Sequence, residues 1–137
     1  MKTLLASLAL AAAACGSPPM MAGVITSSGG ELGDFTFAPD SCDYKPDLQS
    51  IDFYDSTRPG LTVRVVRPQT SEPVVVVANT AAPGGAREVS LSPAQTCTIH
   101  KGYHSLVYGD RGVGIRFECT TPEGGHLWGT AGGGVCK

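Results

Sequence analysis

Residues 113–120 read VGIRFECT. Val113, Ile115, Phe117 and Cys119 share one phase; Gly114, Arg116, Glu118 and Thr120 share the other. Alternation with a period of two places one set of side chains on each face of a β-strand. Turn residues bound the stretch. Gly109-Asp110-Arg111-Gly112 stands before it, after a short apolar run from Leu106 to Tyr108, and Pro122-Glu123-Gly124-Gly125 stands after it. Residues 126–130 then alternate again, with Trp128 on one face.

The same grammar runs back through the chain. Phe35 and Phe37 alternate with Asp34 and Thr36, Ile51 and Phe53 with Asp52 and Tyr54, and Leu61, Val63 and Val65 with Thr62, Arg64 and Val66. Val74 to Val77 is an unbroken β-branched run, suited to a central strand or one buried on both faces. Val89 and Leu91 form a short strand ended by Pro93, and Cys97 and Ile99 alternate with Thr96, Thr98 and His100. No segment past the N-terminus keeps a 3.6-residue apolar period for three turns. The best helical alternative is 46–53, with Asp43 as a cap. Short strands separated by Gly, Pro, Asp and Ser predict an all-β fold, a small antiparallel β-sandwich or partly open barrel.

The chain has 137 residues, enough for one domain. Ten Lys and Arg against twelve Asp and Glu leave a formal charge of −2 with no basic stripe. Nucleic-acid binding, which draws its affinity from cations neutralising phosphates, is therefore not expected. The same balance argues against electrostatic docking on anionic lipid.

Residues 1–14 read MKTLLASLALAAAA, a lysine followed by a short apolar run of small and aliphatic residues. This is the pattern of an export signal, too short to span a bilayer as a mature helix. Cys15 follows Ala12-Ala13-Ala14 directly. The junction resembles the lipobox of bacterial lipoproteins, in which the cysteine receives a diacylglyceryl group and becomes the mature N-terminus. The resemblance implies a partner, the membrane, reached through several acyl chains on one residue. With Gly16 after the cysteine it implies the outer membrane in a Gram-negative host. Residues 15–30 then read as the lipidated cysteine and a Gly/Ser/Pro-rich tether, and 31–137 as the β-domain. An alternative places a first edge strand around Met20, Met21, Val24 and Ile25.

With Cys15 assigned to lipid, Cys42, Cys97, Cys119 and Cys136 form an even set, and an exported chain meets an oxidising compartment. Four cysteines allow three pairings. Cys97 and Cys119 lie on the apolar phase of their strands, and Cys42 and Cys136 lie near the two ends of the domain. The favoured pairs are Cys97–Cys119 and Cys42–Cys136. The absence of any CxxC speaks against zinc and dithiol chemistry. The opening GDFTFAPDSC, the strands around Cys97 and Cys119 and the closing Gly129…Cys136 also resemble small secreted β-sandwich domains of bacterial lipoproteins. That likeness implies fold and location, and no catalytic residue.

Candidate chemistry is sparse. His100 and His104 lie in a strand and a turn, without the glutamate of a zinc protease helix. Asp34, Asp40, Asp43 and Asp47 gather acids as a calcium loop does, without EF-hand spacing. No GxSxG or SxxK is present, and Gly132-Gly133-Gly134 lacks the strand–helix context of a phosphate loop. His126 and Trp128 share one strand face and read, with Tyr103, as a weak binding patch. Tyr44, Tyr54, Tyr103, Tyr108 and Trp128 would anchor a broader one. The expectation is a non-catalytic envelope domain, structural or binding a protein or glycan, with no cofactor and no metal. The alternative is a small hydrolase or metal-dependent enzyme built on His100, His104 and His126.

Overall fold

A computed structural model describes residues 21–67, 73–94, 97–101, 113–133 and 136. Among the described residues ten strands carry the fold: β1 (Ile25–Ser28), β2 (Phe35–Phe37), β3 (Ser41–Lys45), β4 (Ser50–Tyr54), β5 (Leu61–Val66), β6 (Val74–Asn79), β7 (Arg87–Leu91), β8 (Cys97–Lys101), β9 (Val113–Thr120) and β10 (His126–Gly133). A single 3-10 turn, Pro46–Leu48, separates β3 from β4.

The strands form two five-stranded antiparallel sheets, ordered β2-β1-β10-β9-β8 and β3-β4-β5-β6-β7. Every hydrogen-bonded pair joins sequence neighbours except β1 with β10, which brings the two ends of the meander together. The β2–β3 and β7–β8 connections pass from one sheet to the other without pairing, so the architecture is a sandwich and not a closed barrel.

The alternation read from the sequence fills the space between the sheets. Phe37, Phe53 and Val63 are fully buried, and Phe117 and Ile115 nearly so. They join Ile25, Leu32, Val65, Val75, Val77 and Leu127 in one continuous core. Each such side chain contributes about 1.5–3 kcal/mol by leaving water. Both disulfides have the favoured pairing. Cys97 and Cys119 face each other directly across β8 and β9, with Cα atoms 4.1 Å apart. Cys42 on β3 joins Cys136, just past β10, and so links the two sheets.

Several expectations change. The 15–30 segment is not a tether throughout. Ile25–Ser28 is a strand between β2 and β10, and Ala22 makes a further bridge to Gly132. Ile25 points into the core, and Ser27 at the next inward position donates its hydroxyl to the Gly33 carbonyl at 2.7 Å. Gly129 permits this closure. Its φ is +145°, and a Cβ there would stand 2.1 Å from the Val24 carbonyl oxygen. The Val74–Val77 run is central, as one reading had it, but only Val75 and Val77 are fully buried; Val74 and Val76 are half-buried on the outer face. The helical alternative at 46–53 yields to the 3-10 turn and β4. Residues 1–20, Leu106 to Tyr108 and the 109–112 turn lie outside the described residues.

The four acids of the supposed loop are dispersed. Asp34 accepts from the Gly29 amide at 2.6 Å, within the β1–β2 turn. Asp40 accepts from the amide and hydroxyl of Ser56. Asp43 lies in β3 opposite Asp52, and Asp47 lies in the 3-10 turn. Asp55, buried at 6% exposure, accepts from the Ala38 amide and from the amide and hydroxyl of Thr57. These carboxylates staple turns, satisfying backbone groups that the strand ladders leave over.

Candidate functional site

The polar phase of the first sheet faces away from the core, and the strand register arranges it in rows. Thr26 of β1 stands opposite both Thr36 and Trp128, and Trp128 stands opposite Glu118, which faces Thr98. One row therefore crosses all five strands as Thr36, Thr26, Trp128, Glu118, Thr98. The neighbouring row on one side is Ser28, His126, Thr120. On the other side Thr130 faces Arg116, which faces His100.

Trp128 occupies the centre of this face, on the middle strand of the sheet, and is 37% exposed. Its ring stacks on His126 with centroids 4.5 Å apart and planes 26° from parallel. His126 Nε2 lies 3.1 Å from Glu118 Oε1. The three side chains support one another: the carboxylate holds the imidazole, and the imidazole holds the indole. Two turns frame this end of the face. Gly30 and Gly125 approach so closely that a Cβ on Gly30 would meet the Gly125 backbone at 2.6 Å. The Thr121 hydroxyl accepts from the Gly125 amide at 2.8 Å.

The sequence reading placed His126 and Trp128 together, and the structure does so. Tyr103 and Tyr108 lie outside the described residues. The remaining aromatics do not share this face: Tyr44 packs against the core, and Tyr54 lies on the second sheet. His100 lies on the same face as His126. They are four residues apart along β9 and two strands apart, roughly 16 Å at ordinary strand spacing. They do not converge on one centre, and His104 lies outside the described residues.

A second polar cluster escaped the sequence reading. On the outer face of the second sheet, Arg64 donates from Nε to Asp52 at 2.6 Å and from Nη2 at 2.9 Å, a bidentate pair. The Asp52 side chain is 3% exposed and that of Arg64 37%. Hydrogen bonding to Asp52 raises the Arg64 pKa. Burial, then the negative charges of Asp52 and Asp43, push the Tyr54 phenol up. Asp43 faces Asp52 across the strand pair, with Lys45 4.0 Å from Asp43. One cation therefore satisfies a buried acid, and the cluster is a cross-strand ion pair holding β4 to β5.

No protein-family model, characterised protein or solved structure matches this chain. Among the described residues no helix is long and apolar enough to cross a membrane. The two disulfides fit an extracellular or exported protein.

Proposed function

We propose that the chain is an exported envelope protein, lipid-anchored at Cys15, whose β-sandwich binds a partner through the outer face of the first sheet without catalysing a reaction. The observation that carries the binding role is the exposed, pre-stacked Trp128 at the centre of a largely polar sheet face. Exposed tryptophans held in place by neighbours are the residues on which recognition surfaces concentrate their affinity. The anchor rests on the export signal, on the lipobox-like junction at Cys15 and on the pairing of the other four cysteines.

The early start of the fold sharpens this reading. Ala22 already pairs with Gly132, so only residues 16–21 separate the acylated cysteine from the sandwich. Covalent geometry limits that link to about 25 Å even when fully extended. The domain would be held close to the bilayer, with the Ala22 and Gly132 end nearest the lipid.

Expression in a bacterial host that processes lipoproteins tests the anchor. The wild type should sediment with membranes and be released only by detergent. Cys15→Ala should appear as unprocessed precursor or as soluble export product. Equal release of both forms by salt would refute lipid anchoring.

A further inference from the structure

We infer that the outer face of the first sheet takes a neutral oligosaccharide lying across the strands, with one sugar ring stacked on Trp128. This rests on the reading of that face as the binding face, and it does not depend on the anchor.

The chemistry of the face selects the ligand class. A sugar ring presents a flat set of C–H groups ringed by hydroxyls. An indole offers a matching apolar plane, and Trp128 is 37% exposed on this face with His126 stacked on one side of its ring. The groups around it are short and polar. Thr26 and Glu118 flank it within its row, and the hydroxyls of Thr36 and Thr98 lie at the row's ends. Hydroxyls and a carboxylate can both serve the hydroxyl rim of a sugar. The row spans four inter-strand spacings, about 19 Å, which suits a chain of sugars with its middle unit on the indole.

Other partners fit less well. A protein interface draws on an apolar core within about 800 Å² per partner, whereas among the described residues the exposed large apolar ones on this face are Trp128 and Val24. A lipid surface requires a contiguous apolar patch. A polyanion requires like positive charges, and here Arg116 and Glu118 lie two residues apart on one strand face. The stack on His126 and the His126–Glu118 contact hold the platform before any ligand arrives, so little ordering remains to be done on binding.

Trp128 is the only tryptophan in the chain, so intrinsic emission reports this ring alone. Full-length protein in detergent is titrated with hexamers of β-1,4-linked glucose, mannose and N-acetylglucosamine, with their monosaccharides, and with an oligouronate. At least one neutral hexamer should shift the emission to the blue and protect the indole from acrylamide, and its monosaccharide should bind more weakly. By calorimetry, Trp128→Ala should lose at least about tenfold in affinity and Trp128→Tyr should retain part of it. Glu118→Gln, which keeps the fold and removes the charge, should weaken binding without abolishing it. Failure of every neutral hexamer to alter emission or quenching would overturn the proposal, as would full affinity in a folded Trp128→Ala. Protection by a protease-sensitive envelope fraction, with no effect of any sugar, would also overturn it while leaving the face as a binding face.

Discussion

The two disulfides should differ in what they contribute, and the difference follows from the fold. Cys42–Cys136 closes a loop of sequence separation 94, and Cys97–Cys119 one of 22. In the chain-entropy account a cross-link stabilises by restricting the unfolded chain. It gives about 4.7 kcal/mol for the longer loop and about 3.4 kcal/mol for the shorter. The native environment acts in the same direction. Cys42 and Cys136 are 6% and 0% exposed, whereas in the other pair Cys119 is 1% exposed but Cys97 only half-buried, so trimming the first pair removes more core packing. The double variant Cys42→Ala/Cys136→Ala should therefore lose more stability than Cys97→Ala/Cys119→Ala, by at least about 1.3 kcal/mol. Equilibrium urea unfolding measures this, read by circular dichroism and by Trp128 emission. Both variants should also show steeper transitions than wild type, because an uncrosslinked unfolded chain exposes more surface. An equal or larger loss from the Cys97–Cys119 deletion would show that loop length does not set what each disulfide contributes. So would a loss below about 2 kcal/mol from the Cys42–Cys136 deletion, since it would mean that the link between the sheets restricts little.

Three further outcomes follow from other parts of the structure. Gly129→Ala should destabilise by about 3 kcal/mol or more in urea unfolding, because the new Cβ meets the β1 backbone and the residue is held at positive φ. A loss near that of an ordinary surface substitution would show that β1 can retreat. The hydroxyl of Thr57, working against burial and helped by the Ala38 and Thr57 amides, holds the Asp55 carboxyl below its ordinary range. Its stabilising effect should be complete above about pH 4 and fall away as pH drops through the lower folded-state value, so the gap between wild type and Asp55→Asn should close in acid; a gap that widens on acidification would contradict this. Arg64→Met should cost about 2–4 kcal/mol by leaving Asp52 buried without its cation, whereas Asp52→Asn/Arg64→Met should recover part of that loss, a comparison made by a double-mutant cycle.

Most of the strand layout was legible because the core-facing phase is regular. In 113–120 and 61–66 the apolar residues fall at every second position, and a sheet with one buried face requires that. The cysteine pairing was legible for the same reason, since Cys97 and Cys119 share the phase of Ile99 and Phe117. β1 was legible only as the alternative edge strand around Met20, Met21, Val24 and Ile25, and its composition disguised its extent and its place inside the sheet. Its second inward residue is Ser27, whose hydroxyl is satisfied locally by Gly33, and the adjoining Gly29-Gly30 resembles a linker. The pairing of β1 with β10, not an apolar pattern, makes it a strand. Trp128 and His126 were legible as a same-face pair. The threonines around them were not, because a polar residue on the outward phase has no neighbour in sequence terms. Thr36, Thr26 and Thr98 become one row with Trp128 and Glu118 only after four strand registers are set. Asp52 falls on the polar phase of its strand, beside Ile51 and Phe53. Its burial depends on Arg64, which approaches it from the next strand.

Intact-mass measurement of detergent-extracted membrane protein tests at once the proposed acylation of Cys15 and the pairing of the other four cysteines. A mature chain beginning at Cys15, carrying diacylglyceryl mass and lighter by four hydrogens than its reduced form, is the expected result. A water-soluble product with an unmodified Cys15, or a chain that gains no hydrogens on reduction, would contradict it.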